Sequence, residues 1–143
     1  PGANSFVYAV ADAFTNRVFN LNNGNVSVGN NILVVNGNQL HDGADFYFQG
    51  NGIPAPAVAG VRYIVTNVLA NSFELIQANG QPLNFTSTTG ISFSGIAKVR
   101  KVYVGGDFTS FNASTNLVRI ARLHHDGSVD TGFNGGTGAD AFV

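Results

Sequence analysis

Cysteine, methionine and tryptophan are all missing from this 143-residue chain. Without cysteine no disulfide, thiolate nucleophile or thiolate zinc site can form, and the redox compartment is left open. The missing methionine includes an initiator, so the expectation is a processed product or a segment cut from something longer. Charge is scarce as well, at 10% of residues and a net −1. Because phosphate binding draws on clustered Lys and Arg, the seven scattered cations here predict no nucleic-acid partner. Only "KVRK" at 98 to 101 is locally dense, and it reads as a solvated strand face. No apolar run approaches the roughly 20 residues of a membrane helix, and no basic-then-apolar leader opens the chain, so no membrane insertion is expected. Helical signals are lacking too. No window of eleven or more residues keeps a helical period, and Gly, Asn and Pro interrupt every candidate.

What is abundant is glycine and asparagine, 18 of each, with Asn-Gly pairs at 23–24, 36–37, 51–52, 79–80 and 134–135. Asn-Gly tolerates positive φ at both central positions of a type I′ turn, so these pairs predict tight hairpins. Between them lie short runs of strand length: "FVYAV", "ILVV", "DFYFQ", "VRYIVTNVL", "SFELIQ", "LNFTST", "GISFSGIAKV", "KVYVGGDF" and "LVRIARLH". Several alternate apolar with polar residues, the period of a half-buried strand. The predicted fold class is all-β. Hydrophobic residues make up 44% of the chain, enough for a sizeable core.

Texture divides the chain. Residues 1–24 and 96–143 share Gly, Ala, Asp and Phe, whereas 25–95 has its own turns and the stretch "GIPAPAVAG", whose prolines cannot donate to a central ladder. The expectation is an antiparallel, blade-like sheet built from both chain ends, with 25–95 inserted as a small β-sandwich or barrel module. "PGANSFV" (1–7) returns as "TGADAFV" (137–143), a short internal repeat.

Residues 102–134, "VYVGGDFTSFNASTNLVRIARLHHDGSVDTGFN", resemble a delta-60 repeat, a β-propeller-like repeat of large bacterial surface proteins and some phage proteins. In that pattern a segment like "FVYAVA" precedes "VYVGGDF", and residues 6–11 supply it, which makes the residues between them an insertion. The repeat implies that 138–143 either pair with another copy or close onto the strand from Phe6 to Val10. Residues 32–86 resemble a small β-module that recurs in tailed-bacteriophage virion proteins, carried by "DGADF", a Pro-Ala turn before "AGVRYIV", and "ANSFEL". That resemblance implies placement in a virion, in a tail or fibre, and transfers no functional residue.

Chemistry-bearing constellations are thin. His124, His125, Asp126 and Asp130 suggest a metal, but adjacent side chains on a strand point to opposite faces, and "DGSVD" lacks the ligand run and closing Glu of a calcium loop. Asp126 and Asp130 stand as a weak calcium candidate, with no cofactor expected. Glu74 is the only Glu, the Asp residues sit in turn contexts, and no nucleophile elbow is present, so the chain reads as non-enzymatic. The aromatics give a better lead. Phe46 and Phe48 share one face of "DFYFQ" and Tyr47 the other, where Tyr47 is placed to stack on a sugar or to meet a core or subunit neighbour. Candidate interaction residues are Phe6, Val7, Tyr8, Phe142, Val143, Phe46, Tyr47 and Phe48. The functional expectation is a structural and assembly segment of a tailed-phage virion, extracellular, contacting its own copies or other virion proteins and a host-surface glycan. The alternative is a bacterial surface adhesin or carbohydrate-binding module.

Overall fold

Alternation of apolar and polar residues becomes seven strands in the computed structural model, which describes residues 3–113 and 117–134. They are β1 (Phe6–Leu21), β2 (Ile32–Val34), β3 (Asp45–Gln49), β4 (Arg62–Leu69), β5 (Ser72–Ile76), β6 (Phe93–Asp107) and β7 (Ile120–His124). The fold is all-β and the sheet is antiparallel and open; among the described residues the only helical element is a 3-10 turn at Asn23–Asn25. Two compact units are present: Pro1–Thr15 with Arg100–Val143, and Asn16–Val99.

In the unit of residues 16–99 the strand order is β6-β3-β4-β5-β2, open rather than closed into a barrel. The register runs from Phe48 opposite Gly95 through Phe46 opposite Tyr63 to Val65 opposite Leu75 and Leu33 opposite Phe73. Odd-even alternation sends Phe46, Phe48, Tyr63, Val65, Phe73, Leu75, Phe93, Ala97 and Val99 to one buried core, joined by Phe19 and Leu21 of β1 and by Leu83 and Phe85. The centre is aromatic: the Phe46 ring lies 5.1 Å from Phe48, 5.5 Å from Phe73 and 6.3 Å from Phe19. Gly95 makes room for it, since a Cβ there would fall 2.2 Å from Phe46 Cζ. Asn38, buried in a loop, donates through Nδ2 to the carbonyls of Val35, Leu69 and Ser72 and accepts the Leu40 N–H, so both ends of its buried amide are hydrogen-bonded and tie the loop to the β4–β5 hairpin.

In the other unit β6 pairs with both β1 and β7, and Val129 makes a further bridge to Leu123. Lys101 stands opposite His124 and Val104 opposite Ala121. Val104, Phe108, Phe111, Leu117 and Ala121 form a second buried cluster. This is the blade-like sheet expected of the chain ends.

Several sequence-level expectations are corrected. "GISFSGIAKV" and "KVYVGGDF" are one strand, because "KVRK" continues the alternation instead of turning: Val99 and Lys101 are buried while Lys98 and Arg100 are exposed. "LNFTST" forms no strand, since its N–H groups go to three separate carbonyls, Leu83 to Leu75, Phe85 to Asn30 and Thr86 to Ala55. The Asn-Gly pairs at 23–24, 36–37, 51–52 and 79–80 do not make type I′ turns, for none of Asn23, Asn36, Asn51 or Asn79 has positive φ, and Gly135 of the fifth pair lies outside the described residues. Gly37 and Gly80 alone carry positive φ in their pairs, and Gly80 closes a four-residue turn by donating its N–H to the Gln77 carbonyl.

Candidate functional site

The first half of β1 is the part of the fold whose burial departs most from its sequence. From Phe6 to Asp12 every residue is exposed, on both faces of the strand. Even-numbered positions share a face, and there Phe6, Tyr8, Val10 and Phe14 are 72%, 57%, 66% and 67% exposed. At about 200 Å² per ring, the three aromatics alone offer roughly 400 Å² of surface, as large as the biggest apolar patch of an ordinary monomer. Val7 is exposed on the opposite face. Phe6 and Tyr8 stack on each other at 6.4 Å, which organises the rings without covering them.

Among the described residues this part of the chain is held by residues 106–110 and by Arg100. Asn4 accepts the N–H groups of Thr109 and Ser110 on its Oδ1 and donates from Nδ2 to Thr109 Oγ1. Gly106 allows close approach of the chain at Phe6, because a Cβ there would fall 2.2 Å from the Phe6 carbonyl oxygen. Asp12 accepts from Arg100 at 2.6 Å, both side chains about half exposed, and this hydrogen bond holds the guanidinium above its ordinary pKa. β1 begins the strand order, so among the described residues it has β6 as its only ladder partner.

Beneath the sheet surface of the same unit lies a charged cluster that sequence reading missed. Lys101 on β6 and Arg122 on β7 both contact Asp130 Oδ2, at 2.8 and 2.9 Å, while the Gly132 N–H donates to Oδ1. Lys101 and Asp130 side chains are each only 10% exposed. Burial works against the Asp130 charge. Lys101, Arg122 and the Gly132 N–H outweigh it and hold the carboxyl below its ordinary pKa. A hydrogen bond with Tyr103, together with Asp130, likewise holds Arg122 above its ordinary value against burial. Lys101 also donates to His124 Nδ1 at 2.8 Å. The Arg122 guanidinium stacks 5.0 Å from the Phe133 ring centre. The available signal was parity: Lys101 occupies an inward position in line with Ala97 and Val99.

The remaining sequence candidates divide sharply. Phe46 and Phe48 are fully buried in the aromatic core and cannot meet a partner, which corrects their place among interaction residues. Tyr47, on the other face of β3, is half-buried with Lys98 Nζ 5.6 Å from its ring centre, so the ring already holds a cation. Phe6, Val7 and Tyr8 lie together on the exposed strand. Phe142 and Val143, and with them the returning stretch "TGADAFV" and its expected pairing with Phe6 to Val10, lie outside the described residues. Asp126 and Asp130 do not share a cation site. Asp130 is neutralised by Lys101 and Arg122, whereas Asp126 is exposed and caps its own turn, accepting from Ser128 N–H and Oγ. Ser128 pulls the Asp126 carboxyl below its ordinary pKa. Among the described residues no group of three or more His, Asp or Glu side chains is placed to hold a metal ion.

A family model described as "Domain of unknown function (DUF5122) beta-propeller" matches residues 100–133. No curated protein and no solved structure matches the chain. The matched stretch coincides with the residues that resemble a delta-60 repeat. It contains β7, the second half of β6 and the cluster in which Lys101, Arg122 and Asp130 meet. Over that stretch the chain is similar to a β-propeller repeat.

Proposed function

We propose that the chain is a non-enzymatic structural and assembly segment of a tailed-phage virion, from a tail or fibre, acting through contacts with its own copies or with other virion proteins. The observation that carries the assembly part is the apolar stripe Phe6, Tyr8, Val10 and Phe14 on an edge strand. Propeller-like repeats bury such strands against neighbouring blades, and the family match to residues 100–133 supports treating the unit around it as one blade. The virion part rests on the resemblance of residues 32–86 to modules of tailed-phage proteins, and it carries an extracellular location with it. Immunogold microscopy with an antibody to the chain should label tails or fibres of virions of the phage that carries its gene. Purified virions in which mass spectrometry finds no peptide of the chain overturn this reading.

The alternative, an adhesin or carbohydrate-binding module, rests on Tyr47. Lys98 against the ring disfavours sugar stacking there. A glycan array with reproducible hits that disappear in Tyr47→Ala would favour it instead.

A further inference from the structure

Residues 6–14 read "FVYAVADAF", and the order is close to a palindrome about Val10. An antiparallel pair of two such strands centred on Val10 matches residue i with residue 20 − i. Phe6 then faces Phe14 of the other copy, Val10 faces Val10, and Ala9 faces Ala11. Aromatic and β-branched cross-strand pairs are favourable in sheets, whereas like charges directly opposite each other are not. The charge pattern fits this register. Asp12, the only charged residue in the segment, faces a tyrosine of the other copy rather than a second carboxylate, and its own charge is already engaged by Arg100.

Three further features select this strand. It begins the sheet order, so β6 is its only ladder partner among the described residues. It contains no proline or glycine, residues that natural edges use against pairing. Its exposed rings would stand beside those of the second strand on one face, adding aromatic cross-strand contacts to the ladder.

We infer that β1 pairs antiparallel with β1 of a second copy of this chain, in the register that sets Val10 opposite Val10. Two blade-like sheets then continue into one another across a two-fold axis, and both apolar stripes join on the same face. This rests on the assembly part of the proposed function and adds the partner and the register.

The absence of native cysteine makes a disulfide test clean. Residues opposite each other in an antiparallel pair have Cα atoms about 4.5 to 5.5 Å apart, within the range a disulfide spans. Val10→Cys should therefore link to itself under mild oxidation. The control is Val18→Cys, equally exposed on the same strand but far from the two-fold axis. At ~10 μM protein, a paired thiol at millimolar local concentration should link about a hundredfold faster than one meeting its partner by diffusion. In a mixture of Phe6→Cys and Phe14→Cys chains, the mixed dimer should dominate over either self-linked dimer. Equal rates for Val10→Cys and Val18→Cys overturn the pairing, as does a Val10→Cys chain that stays monomeric. A preference for the self-linked Phe6→Cys dimer overturns the register. Virion labelling is a separate readout: linked Val10→Cys with unlabelled virions removes the phage setting alone, and labelled virions with unlinked Val10→Cys remove the pairing alone.

Discussion

Replacing Asp130 with Asn keeps the shape of the side chain and removes the one charge that Lys101 and Arg122 share. Both cations then stay beside each other without a counter-ion. Breaking a buried ion pair from one side typically costs about 3–5 kcal/mol. Arg122 is 22% exposed at its side chain, so water relieves part of the loss and about 3 kcal/mol is expected. With a urea dependence of about 2 kcal/mol per molar, the unfolding midpoint should fall by about 1.5 M. Amide resonances of Val102 to Val104 in a urea titration report on this unit alone.

Acid supplies the second half of the test. Asp130 has a folded pKa below its unfolded value, so its stabilising contribution is complete above the ordinary carboxyl value near ~3.9 and is lost as pH falls through the lower folded value. The difference between wild type and Asp130→Asn should therefore be constant at neutral pH and shrink below about pH 4. A loss smaller than about 1 kcal/mol at pH 7 would show that the cluster is solvated and the geometric reasoning wrong. A difference that stays constant down to pH 2 would refute the assignment of the charge to Asp130.

Gly95→Ala should destabilise the unit of residues 16–99 by about 2–3 kcal/mol through overpacking against Phe46, and by much less in a Phe46→Leu background, a non-additivity that a double-mutant cycle in urea measures. Asn38→Ala removes the donor shared by three carbonyls and the acceptor of the Leu40 N–H and should cost about 3 kcal/mol by the same titration, whereas the exposed Asn36→Ala should stay within about 0.5 kcal/mol.

The fold class was legible because the burial alternation is in the residues. "DFYFQ" became β3 with its expected ends, and "SFELIQ" became β5 less one residue, since both have apolar side chains at every second position. Turn geometry was less legible. Asn-Gly permits a type I′ hairpin without requiring one, and Gly52 is set by the Ile91 carbonyl, which lies 2.2 Å from where its Cβ would be. The role of a residue was least legible where two distant segments meet. Asp130 reads as a turn acid until β6 brings Lys101 to it across 29 positions of sequence. Phe6, Val7 and Tyr8 are no more apolar than Phe46 or Phe48, and only the sheet order separates an edge strand from a core strand.

Asp12 has a consequence for the chain's behaviour in concentrated solution. Between Phe6 and Phe14 it is the single residue that interrupts a nine-residue, uncharged, strand-forming run. Such runs at sheet edges template open-ended stacking unless a charge limits them. One carboxylate, off the centre of the run, is compatible with a single antiparallel partner and costly for in-register parallel stacking, where every copy would add another negative charge to the same column. The residue that leaves a two-copy assembly possible is thus also the gatekeeper against fibrils.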